Sequence, residues 1–433
     1  MLTCAELPGA AGGRWLVPPA PEKADTVISG AAFDTRRIRE EMLVAVVERE
    51  LPAYPPGIAV LKTDDTLKAL QQTARAIHQR FSGKTIAVTG SNGKTTCKTW
   101  LAGTLSTFMP VRTSEGSFNN HIGCPVTVAG LRAEHQALVL ETGANAVGEI
   151  GMLTALYPPD IAVILNVGSA HVGKFGGLHN TYIAKTEIAD NIKSGGVLFI
   201  PDNDPELERR CREKNNIRSG AVRLKHYPAH TVRILKNTPD GQEIELADDK
   251  SIHRIQTAVS GLFAGRLFSL IMAIAEEMGL NTAQVAPVFS RLANAAGRLQ
   301  LKQTAGGARI VDDSYNANPN SVAHLAEMMS GWDFAHKYLV LGHLAELDGD
   351  DAAAADIIAK GLNDRKIELV CTGETAQRIG GLAAQKTGCA CVSFPDNNAA
   401  AAYCRTKDTP GTLFGIKGSN SAKMWEVVRA LTP

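Results

Sequence analysis

The chain has 433 residues, of which 44% are hydrophobic and 21% charged, and its formal net charge is +1. These values are typical of a globular protein and argue against disorder, a fibrous class and a broad basic surface for nucleic acid or an anionic membrane. The N-terminus lacks a signal-peptide pattern, and the eight cysteines are dispersed without zinc-site spacing. We therefore expect a cytoplasmic monomer of three domains that has no nucleic-acid partner and no membrane insertion.

Residues 1–82, the first predicted domain, mix short elements. We predict a strand near Val27–Ser29, a helical stretch from Thr35, a proline-rich corner at Leu51–Pro56 and a helix that begins at Asp65. Asp65 suits the N-cap of this helix, because its carboxylate can accept a hydrogen bond from the first turn. The apolar face predicted for the helix carries Leu67, Leu70 and Ala74.

From Lys84 the pattern changes to short apolar runs, each followed by a helical stretch. The runs are TIAVTG, ALVLETGA, IAVILNVG and VLFIPDND. Continuous Val, Ile and Leu runs that alternate with helices are typical of parallel strands buried on both faces. We predict a doubly wound α/β domain over residues 83–296, with an antiparallel excursion between about Ala221 and His253 and a closing helix from about Leu262 to Met278.

A glycine-rich junction, GSNGKTT, joins the first of these strands to a helix. Its glycines let backbone N–H groups close around phosphate oxygens, and the helix N-terminus favours negative charge. Lys94 can reach the β- and γ-phosphates, and Thr95 can offer a hydroxyl to Mg²⁺. The first glycine of the general P-loop pattern would fall on Val88, so the match is to G-x-x-G-K-T-T. A structural turn is the alternative, but this junction favours nucleotide phosphate binding by Gly90, Asn92, Gly93, Lys94, Thr95 and Thr96.

Two polar residues follow the next strands of the same predicted sheet. Glu141 closes the run ALVLE, and His171 comes shortly after IAVILNVG. The carboxyl ends of parallel strands face one crevice, so these side chains are placed to hold metal ions against a bound nucleotide. A helix N-cap for Glu141 and a plain loop position for His171 are the structural alternatives.

After Gly297 the pattern of strands and helices starts again. The strand-like runs are ARIVDDSYNANP, KYLVLGHL, IELVCTG and LFGIKGSN, and helical stretches separate them. We predict a second α/β unit with its own sheet over residues 297–433, and a domain boundary near Ala296–Arg298.

Several motifs in order resemble one known family. They are GSNGKTT, NNHIGCP, ETGANAVGEIGMLT, NVGSAHVGKFGG, IAKTEI, DDSYNANPNS, LGHLAEL and KGSNSAKMWEVV, spread over roughly residues 84–430. Their ordered spacing is similar to that of the Mur ligase family of peptidoglycan synthesis. The resemblance implies a three-domain architecture in which an acceptor-substrate domain precedes a central P-loop domain and a Rossmann-like C-terminal ligase domain. It also implies an ADP-forming enzyme that activates a carboxylate as an acyl phosphate and joins it to an amine.

The resemblance further implies residue roles in the central domain. Thr95 and Glu141 would hold one Mg²⁺, and His171 would help to hold a second. Lys185 matches a lysine that the family carbamylates with CO₂, a change that turns a cation into an anionic metal ligand; a solvent-facing helix lysine is the alternative. Asn119 and Asn120 would contact substrate.

In the C-terminal domain, Arg298 matches an arginine for the γ-phosphate and Asp313 an aspartate near the ribose. Asn316, Asn318 and Lys417 match the substrate-binding loop and the following strand end. A surface ion pair for Arg298, a helix cap for Asp313 and turn formers for the two asparagines are the structural alternatives. The catalytic set implied by the resemblance is therefore Lys94, Lys185, His171 and Arg298. Its small-molecule partners are ATP, an acceptor carboxylate and an amine such as a dipeptide.

The chain departs from the family pattern in three respects, the adenine-binding stretch, two residues of the C-terminal domain and the length of the first domain. Gly261 to Leu267 replaces a stretch in which an asparagine contacts adenine, and His343 and Asn420 replace an aspartate and an arginine. The first domain is shortened by roughly two dozen residues after FDTRRI, so we expect free UDP to bind no tighter than roughly millimolar. A Mur-type amide ligase of another pathway, or a nucleotide-binding pseudoenzyme that acts as a partner subunit, are the alternative functions.

Overall fold

The protein is described by a computed structural model. It describes residues 1–32, 44–50, 53–54, 57–168, 177–247, 251–259, 261, 263–345, 350–362 and 366–433. The helical stretch predicted from Thr35, most of the corner at Leu51–Pro56, and His171 lie outside the described residues. Residues 1–82, 83–296 and 297–433 are called the N-terminal, central and C-terminal regions below; these boundaries stay predictions.

The N-terminal region places a small sheet beside two helices. Its elements are α1 (Leu7–Ala11), β1 (Arg14–Val17), β2 (Val44–Val47), β3 (Ala59–Lys62) and α2 (Thr66–Gln79). The strand order is β1-β3-β2, with β1 antiparallel and β2 parallel to β3. The strand predicted near Val27–Ser29 was wrong, because Val27 makes an isolated bridge to Thr3 and starts no ladder there.

Helix α2 has the predicted cap, and of its predicted apolar face Ala74 is buried. The Asp65 side chain accepts a hydrogen bond from the Lys68 backbone N–H, as expected of an N-cap. Leu67 and Leu70 are only half-buried. The residues of α2 that are buried are Ala69, Thr73, Ala74, Ile77 and His78. Ile77 joins an apolar cluster with Leu138 and Leu140 of the central region, so α2 ties the N-terminal region to the central sheet.

The central region contains a six-stranded sheet that is parallel throughout. Its strands are β4 (Lys84–Thr89), β5 (Val111–Thr113), β6 (Ala137–Glu141), β7 (Ile161–Ile164), β8 (Val197–Pro201) and β9 (Arg223–Tyr227). They lie in the order β5-β6-β4-β7-β8-β9. The order reverses at β4, which leaves a crevice at the carboxyl end of that strand. The predicted doubly wound sheet is confirmed.

Helices cover both faces of this sheet. They are α3 (Lys94–Leu105), α4 (Gly123–Ala129), α5 (Glu149–Leu156), α6 (Leu178–Thr186), α7 (Pro205–Arg212) and α8 (Asn215–Arg218). Within β4, Ile86 and Val88 enter one apolar cluster while Ala87 enters another, as expected when successive side chains point to opposite faces. The sheet is therefore a buried platform for whatever lies at its carboxyl edge.

The predicted antiparallel excursion is a three-stranded sheet. It consists of β10 (Thr231–Thr238), β11 (Gly241–Ala247) and β12 (Ile252–Thr257), and two helices follow it, α9 (Ala264–Glu277) and α10 (Thr282–Val285). Ile244 and Leu246 of β11 pack in the same cluster as Phe268 and Ile271 of α9. The excursion is thus anchored on the closing helix.

The C-terminal region has its own six-stranded sheet. Its strands are β13 (Gln300–Gln303), β14 (Arg309–Asp313), β15 (His336–Leu341), β16 (Ile367–Thr372), β17 (Cys391–Phe394) and β18 (Thr412–Lys417). Its helices are α11 (Pro319–Ser330), α12 (Asp351–Gly361), α13 (Glu374–Thr387), α14 (Asn397–Arg405) and α15 (Trp425–Leu431). The order is β13-β14-β18-β15-β16-β17, with β13 antiparallel and the others parallel. The predicted second α/β unit is confirmed.

Among the residues that the structure describes, no helix combines the length and apolar character needed to cross a bilayer.

Candidate functional site

The junction between β4 and α3 has the backbone of a phosphate-binding loop. Gly93 is the N-cap of α3 and has φ of 81°, and Gly90 has φ of 153°. A side chain at Gly90 would also come within 2.9 Å of Leu165 Cβ. Both positions therefore favour glycine, and the loop presents the first backbone N–H groups of α3 to the crevice.

A pair of asparagines holds this loop in shape. Asn166, just after β7, accepts a hydrogen bond from the Asn92 backbone N–H at 2.9 Å and donates to the Asn92 carbonyl at 3.1 Å. The Asn166 side chain thus pairs with both backbone groups of one loop residue. Because β7 neighbours β4 in the sheet, a residue that follows β7 fixes the loop that follows β4.

The Lys94 ammonium lies across the loop. Its Nζ donates to the Gly90 carbonyl at 2.7 Å and to the Ser91 carbonyl at 3.3 Å. The positive charge is consequently held at the rim of the loop, beside the backbone N–H groups that would donate hydrogen bonds to phosphate oxygens.

Glu141 ends β6, the strand next to β4, and is 1% exposed. One carboxylate oxygen accepts a hydrogen bond from Asn119 Nδ2 at 2.8 Å. The other, Oε2, is buried and has no hydrogen-bond partner among the described residues. A buried carboxylate oxygen without a partner is costly, and a cation is the partner that satisfies it best.

The loop and Glu141 open into a cavity of about 1100 Å³ between the central and C-terminal regions, called the interdomain cavity below. Sites for one small molecule usually span roughly 300 to 1,000 Å³, so this volume can hold more than one reactant. The predicted site residues that line it are Asn92, Gly93, Lys94, Thr95, Thr96, Asn119, Glu141, Arg298, Asp313, Asn316, Asn318 and Lys417.

On the C-terminal side, Arg298 faces the cavity supported by an aromatic ring. Its guanidinium carbon lies 4.2 Å from the centre of the Tyr315 ring, within the range of a cation–π contact. Tyr315 also donates its backbone N–H to the Gly297 carbonyl at 3.0 Å. The arginine is thereby held on the segment that precedes β13.

Buried Lys417 and partly buried Asp313 form an ion pair at the ends of the adjacent strands β14 and β18. Lys417 Nζ donates to Asp313 Oδ2 and, at 2.9 Å, to the Asn316 carbonyl. Asp313 Oδ1 also accepts a hydrogen bond from the Leu299 backbone N–H at 3.3 Å. The pair cancels most of its own charge and fixes the loop that carries Asn316.

Asn318 has two contacts that belong to different regions. Its Oδ1 accepts from the Ser321 backbone N–H as the N-cap of α11, and its Nδ2 donates to Asn92 Oδ1 at 2.7 Å. Asn318 is therefore a helix cap, and the same side chain also reaches the phosphate loop.

Four predicted site residues remain, of which His171 lies outside the described residues and the other three do not line the cavity. Gly90 shapes the loop from behind. Asn120 uses its Oδ1 to accept hydrogen bonds from the Ile122 and Gly123 backbone N–H groups, which makes it a turn former at the start of α4.

The fourth, Lys185, is 1% exposed on α6 and does not line the cavity described here. Burial, reinforced by the charge of Lys94 and opposed by Glu187 and Glu149, lowers the pKa of Lys185 to about 7. The solvent-facing alternative for this lysine is wrong.

The segment that departs from the family's adenine motif contributes apolar surface. Gly261, Phe263, Ala264 and Leu267 line the cavity, and the Phe263 ring lies edge-on to the His324 ring at 4.6 Å between centres. Of the other departures, His343 pairs with Thr375, and Asn420 Nδ2 donates to the Tyr315 carbonyl at 3.4 Å.

Sequence reasoning missed Asn166, Ser117, Tyr315 and Lys98. Asn166 had a usable signal, since it follows a buried strand run that ends beside the phosphate loop. Lys98 is a buried lysine one helical turn after Lys94, and its interior position could have been read from the apolar residues around it in α3. Ser117 and Tyr315 carried no sequence signal that relates them to each other.

The central and C-terminal regions each match a family model of the Mur ligases. Residues 88–266 match the Mur ligase middle domain, and residues 297–420 match the Mur ligase glutamate ligase domain. The chain is 30% identical to UDP-N-acetylmuramoyl-tripeptide--D-alanyl-D-alanine ligase of Bacillus subtilis, over 95% of this chain and 94% of that protein. The Escherichia coli protein of the same name is 27% identical, over 93% of this chain and 89% of its own length.

Solved structures agree with these sequence matches. MurF from Acinetobacter baumannii superposes with a TM-score of 0.84 at 26% identity, covering 99% of this chain and 98% of that one. MurF ligase from Thermotoga maritima in complex with ADP superposes with a TM-score of 0.74 at 23% identity, covering 89% and 87%. The second likeness concerns the fold alone.

Proposed function

This chain belongs to the Mur ligase family, and we propose that it joins the carboxyl group of a UDP-N-acetylmuramoyl-tripeptide to the amine of D-alanyl-D-alanine. The reaction class, an ATP-dependent and ADP-forming ligation, is that of the family. The observation that carries the proposal is the interdomain cavity, which places Lys94 and Glu141 on one wall and Arg298 on the other. The acceptor and amine come from the names of the relatives.

The phosphate end of ATP would lie on the loop at the carboxyl end of β4. Backbone N–H groups at the start of α3 bind phosphate oxygens, and Lys94 can turn from the loop carbonyls to the β- and γ-phosphates without a change in backbone. Arg298 meets the γ-phosphate from the opposite wall. Positive charge on both sides of the transferring phosphoryl group stabilises the charge that spreads over its oxygens.

The residues present fit a Mg²⁺ ion. The unpartnered oxygen of Glu141 and the hydroxyl of Thr95, at the start of α3, are the hard oxygen ligands that this ion prefers. Among the described residues, no three His, Cys, Asp or Glu side chains form a metal cluster, so phosphate oxygens would have to complete the coordination. When bound, Mg²⁺ supplies charge neutralisation at the phosphates. We propose that His171 helps to hold a second ion, as the family resemblance implies.

We further propose that Lys185 carries a carbamate. A pKa of about 7 leaves much of the lysine as the neutral amine near neutral pH, and only this form can attack CO₂. The neutral amine nitrogen bonds to the carbon, the electron pair of one C=O bond moves to oxygen, and one proton leaves, so the neutral lysine becomes an anionic carbamate. The positive charge of Lys94 disfavours the ammonium form and favours this anion.

The chain's residues then divide the chemistry. The acceptor carboxylate attacks the γ-phosphorus while Lys94 and Arg298 neutralise the phosphoryl oxygens, and ADP leaves. The amine, after losing a proton, attacks the acyl carbon, and phosphate departs as the amide forms. Asp313, adjacent to the segment that carries Arg298, would contact the ribose, and Asn119, Asn316 and Lys417 would face the reactants. Enclosure between two regions keeps water from the acyl phosphate.

A coupled ADP-release assay tests the substrate assignment. UDP-N-acetylmuramoyl-tripeptide and simple carboxylic acids are each paired with D-alanyl-D-alanine and with other amines. We expect ADP release that requires both the tripeptide conjugate and the dipeptide. Turnover with another acid and amine would indicate that the enzyme acts in a different pathway. Nucleotide binding without turnover on any pair would indicate a non-catalytic partner subunit.

The N-terminal region decides how the acceptor is held. The A. baumannii superposition covers 99% of this chain and therefore includes most of residues 1–82. Three arginines of this region, Arg36, Arg37 and Arg39, lie outside the described residues. We expect calorimetry to show free UDP binding no tighter than roughly millimolar, corresponding to about 4 kcal/mol. Micromolar binding of the tripeptide conjugate that disappears when uridine is removed would overturn this weak-UDP expectation.

Lysine carbamylation has a direct readout. In ¹³C NMR with labelled bicarbonate we expect a carbamate signal that is absent from Lys185→Ala, and short carboxylates should restore part of the turnover of that variant. Lys193→Ala, which removes a lysine ion-paired to Asp160, is the matched control and should keep the signal. A wild-type protein with no carbamate signal at high bicarbonate would overturn the assignment.

A further inference from the structure

The C-terminal and central regions touch through the residue that supports Arg298. The Tyr315 hydroxyl is hydrogen-bonded to Ser117 Oγ, and these residues are 198 positions apart in the chain. The ring of the same tyrosine lies under the Arg298 guanidinium at 4.2 Å. One side chain thus contacts both the arginine and the opposite wall of the interdomain cavity.

The central partner of this contact is itself tied to the phosphate loop. Lys98 Nζ donates to the Ser114 carbonyl at 2.7 Å and to the Gly116 carbonyl at 2.6 Å, and its side chain is buried. Lys98 lies one turn beyond Lys94 on α3. Charge-assisted hydrogen bonds of this kind are strong, so the segment that carries Ser117 is fixed to the helix that begins at the loop.

We propose that Tyr315 is a positioning residue that places Arg298 at the interdomain cavity when its hydroxyl engages Ser117. This inference rests on the role proposed above for Arg298. The sequence of contacts runs from Lys98 through residues 114–117 to the Tyr315 hydroxyl, and from the ring to the guanidinium.

Physical chemistry favours this reading over simple packing. An arginine side chain has many rotamers, and holding it in one costs conformational entropy. A flat ring under the guanidinium restricts that freedom without competing for the five N–H donors that a phosphate needs. The hydroxyl makes the ring position depend on the central region, so Arg298 is ordered only when the two walls meet.

A double-mutant cycle on Ser117 and Tyr315 tests the coupling. Tyr315→Phe keeps the ring and removes the hydroxyl, and Ser117→Ala removes its partner. We expect each to lower kcat about five- to tenfold with KM for ATP nearly unchanged, and the double variant to be no worse than either single variant. Tyr315→Leu, which also removes the ring, should lower kcat further. The matched control is Tyr403→Phe, whose hydroxyl pairs with Glu368 within the C-terminal region.

Amide hydrogen exchange with bound ADP provides a readout that needs no turnover. Tyr315→Phe should speed exchange in residues 114–117, and Ser117→Ala should speed it in residues 297–300, each about tenfold, while Tyr403→Phe changes neither. Multiplicative losses in kcat, or unchanged exchange across the boundary, would overturn the proposal. If the wild type fails to release ADP with any substrate pair while the exchange coupling is present, the proposed function fails and the coupling stands.

Discussion

The carboxyl edges of the two six-stranded sheets place charge at the same cavity in different ways. In the central sheet, β4 runs directly into Gly90, Gly93 and Lys94, so a contiguous stretch supplies the backbone and the charge. In the C-terminal sheet, the charges come from Asp313 and Lys417, which are 104 positions apart and meet because β14 and β18 pair. The first edge is a local structure, and the second exists only after its sheet has formed.

This difference has a functional consequence. A loop at a helix N-terminus can bind phosphates wherever the strand and helix are folded. At the C-terminal edge, Asp313 and Lys417 pair with each other. The cation that faces the cavity from this side is Arg298, whose position depends on Tyr315. We infer that the central region makes most of the contacts with the nucleotide phosphates, whereas turnover requires the two edges to meet.

The largest expected effect comes from breaking the central edge at its charge. Lys94→Ala should lower ADP release about 1,000-fold, since no other loop side chain supplies a cation at the β- and γ-phosphates. The thermal midpoint should stay close to that of the wild type, because the side chain is only half-buried. Lys84→Ala, at the opposite end of β4 and ion-paired with Asp160, is the control. Retention of more than a tenth of the activity by Lys94→Ala would contradict the loop assignment.

Residues at the opposite end of β4 should contribute to the free energy of unfolding and take no part in catalysis. His78 of α2 is hydrogen-bonded to Thr85 at 2.9 Å, and its burial lowers its pKa to about 4. Because the unfolded histidine binds its proton more readily, this group's stabilising contribution is present above about pH 6.5 and is lost as the pH falls through 4.

We expect the loss to be about 3 kcal/mol in free energy of unfolding between pH 7 and pH 4. Urea denaturation of the wild type and of His78→Gln at several pH values measures it. The variant should show a flatter pH dependence over this window, and equal slopes in the two proteins would refute the assignment.

Substitution of Glu141 tests whether β6, the strand next to β4, contributes to magnesium binding at the central edge. Glu141→Gln keeps the acceptor for Asn119 and removes the charge at the unpartnered oxygen, so turnover should fall about 100-fold and the half-saturating Mg²⁺ concentration should rise about tenfold. Steady-state ADP release over a magnesium series measures both. Glu134→Gln, exposed in the loop that precedes β6, is the control. An unchanged magnesium dependence would remove Glu141 from the metal site.

The smallest expected effect is at Asn318, where the two edges touch. Asn318→Ser should still cap α11 but is too short to reach Asn92, so KM for ATP should rise about fivefold with stability within about 0.5 kcal/mol. Asn281→Ser makes the same exchange at the N-cap of α10, away from the cavity, and should leave KM unchanged. A loss of stability without a change in KM would show that Asn318 acts as a cap alone.

Strands inside the two large sheets could be predicted from the sequence, whereas strands at the sheet edges could not. The strands β4, β6, β7 and β8 lie inside the central sheet, and their apolar runs follow from burial on both faces. The strands β5, β13 and β17 were not predicted, and β9 was wrongly assigned to the antiparallel excursion. These four strands form the sheet edges, where short and partly polar sequences suffice. The face of α2 was misassigned in part, because α1 and α4 cover its small residues and leave Leu67 and Leu70 half-buried.

The site shows the same division. The phosphate loop, Glu141 and the general placement of Arg298 could be predicted from residue types at strand ends and from the resemblance of ordered motifs to one family. The turn-forming role of Asn120 and the burial of Lys185 could not, because each depends on neighbours supplied by other elements.

By itself, the amino-acid sequence determined the parallel core strands and the phosphate-binding junction, because apolar periodicity and glycine conformation act over a few neighbouring residues. The tertiary structure alone decided that Asp313 meets Lys417 and that Ser117 meets Tyr315. Contacts between residues 100 to 200 positions apart depend on how strands pair and how two regions close, and these are properties of the whole packed chain.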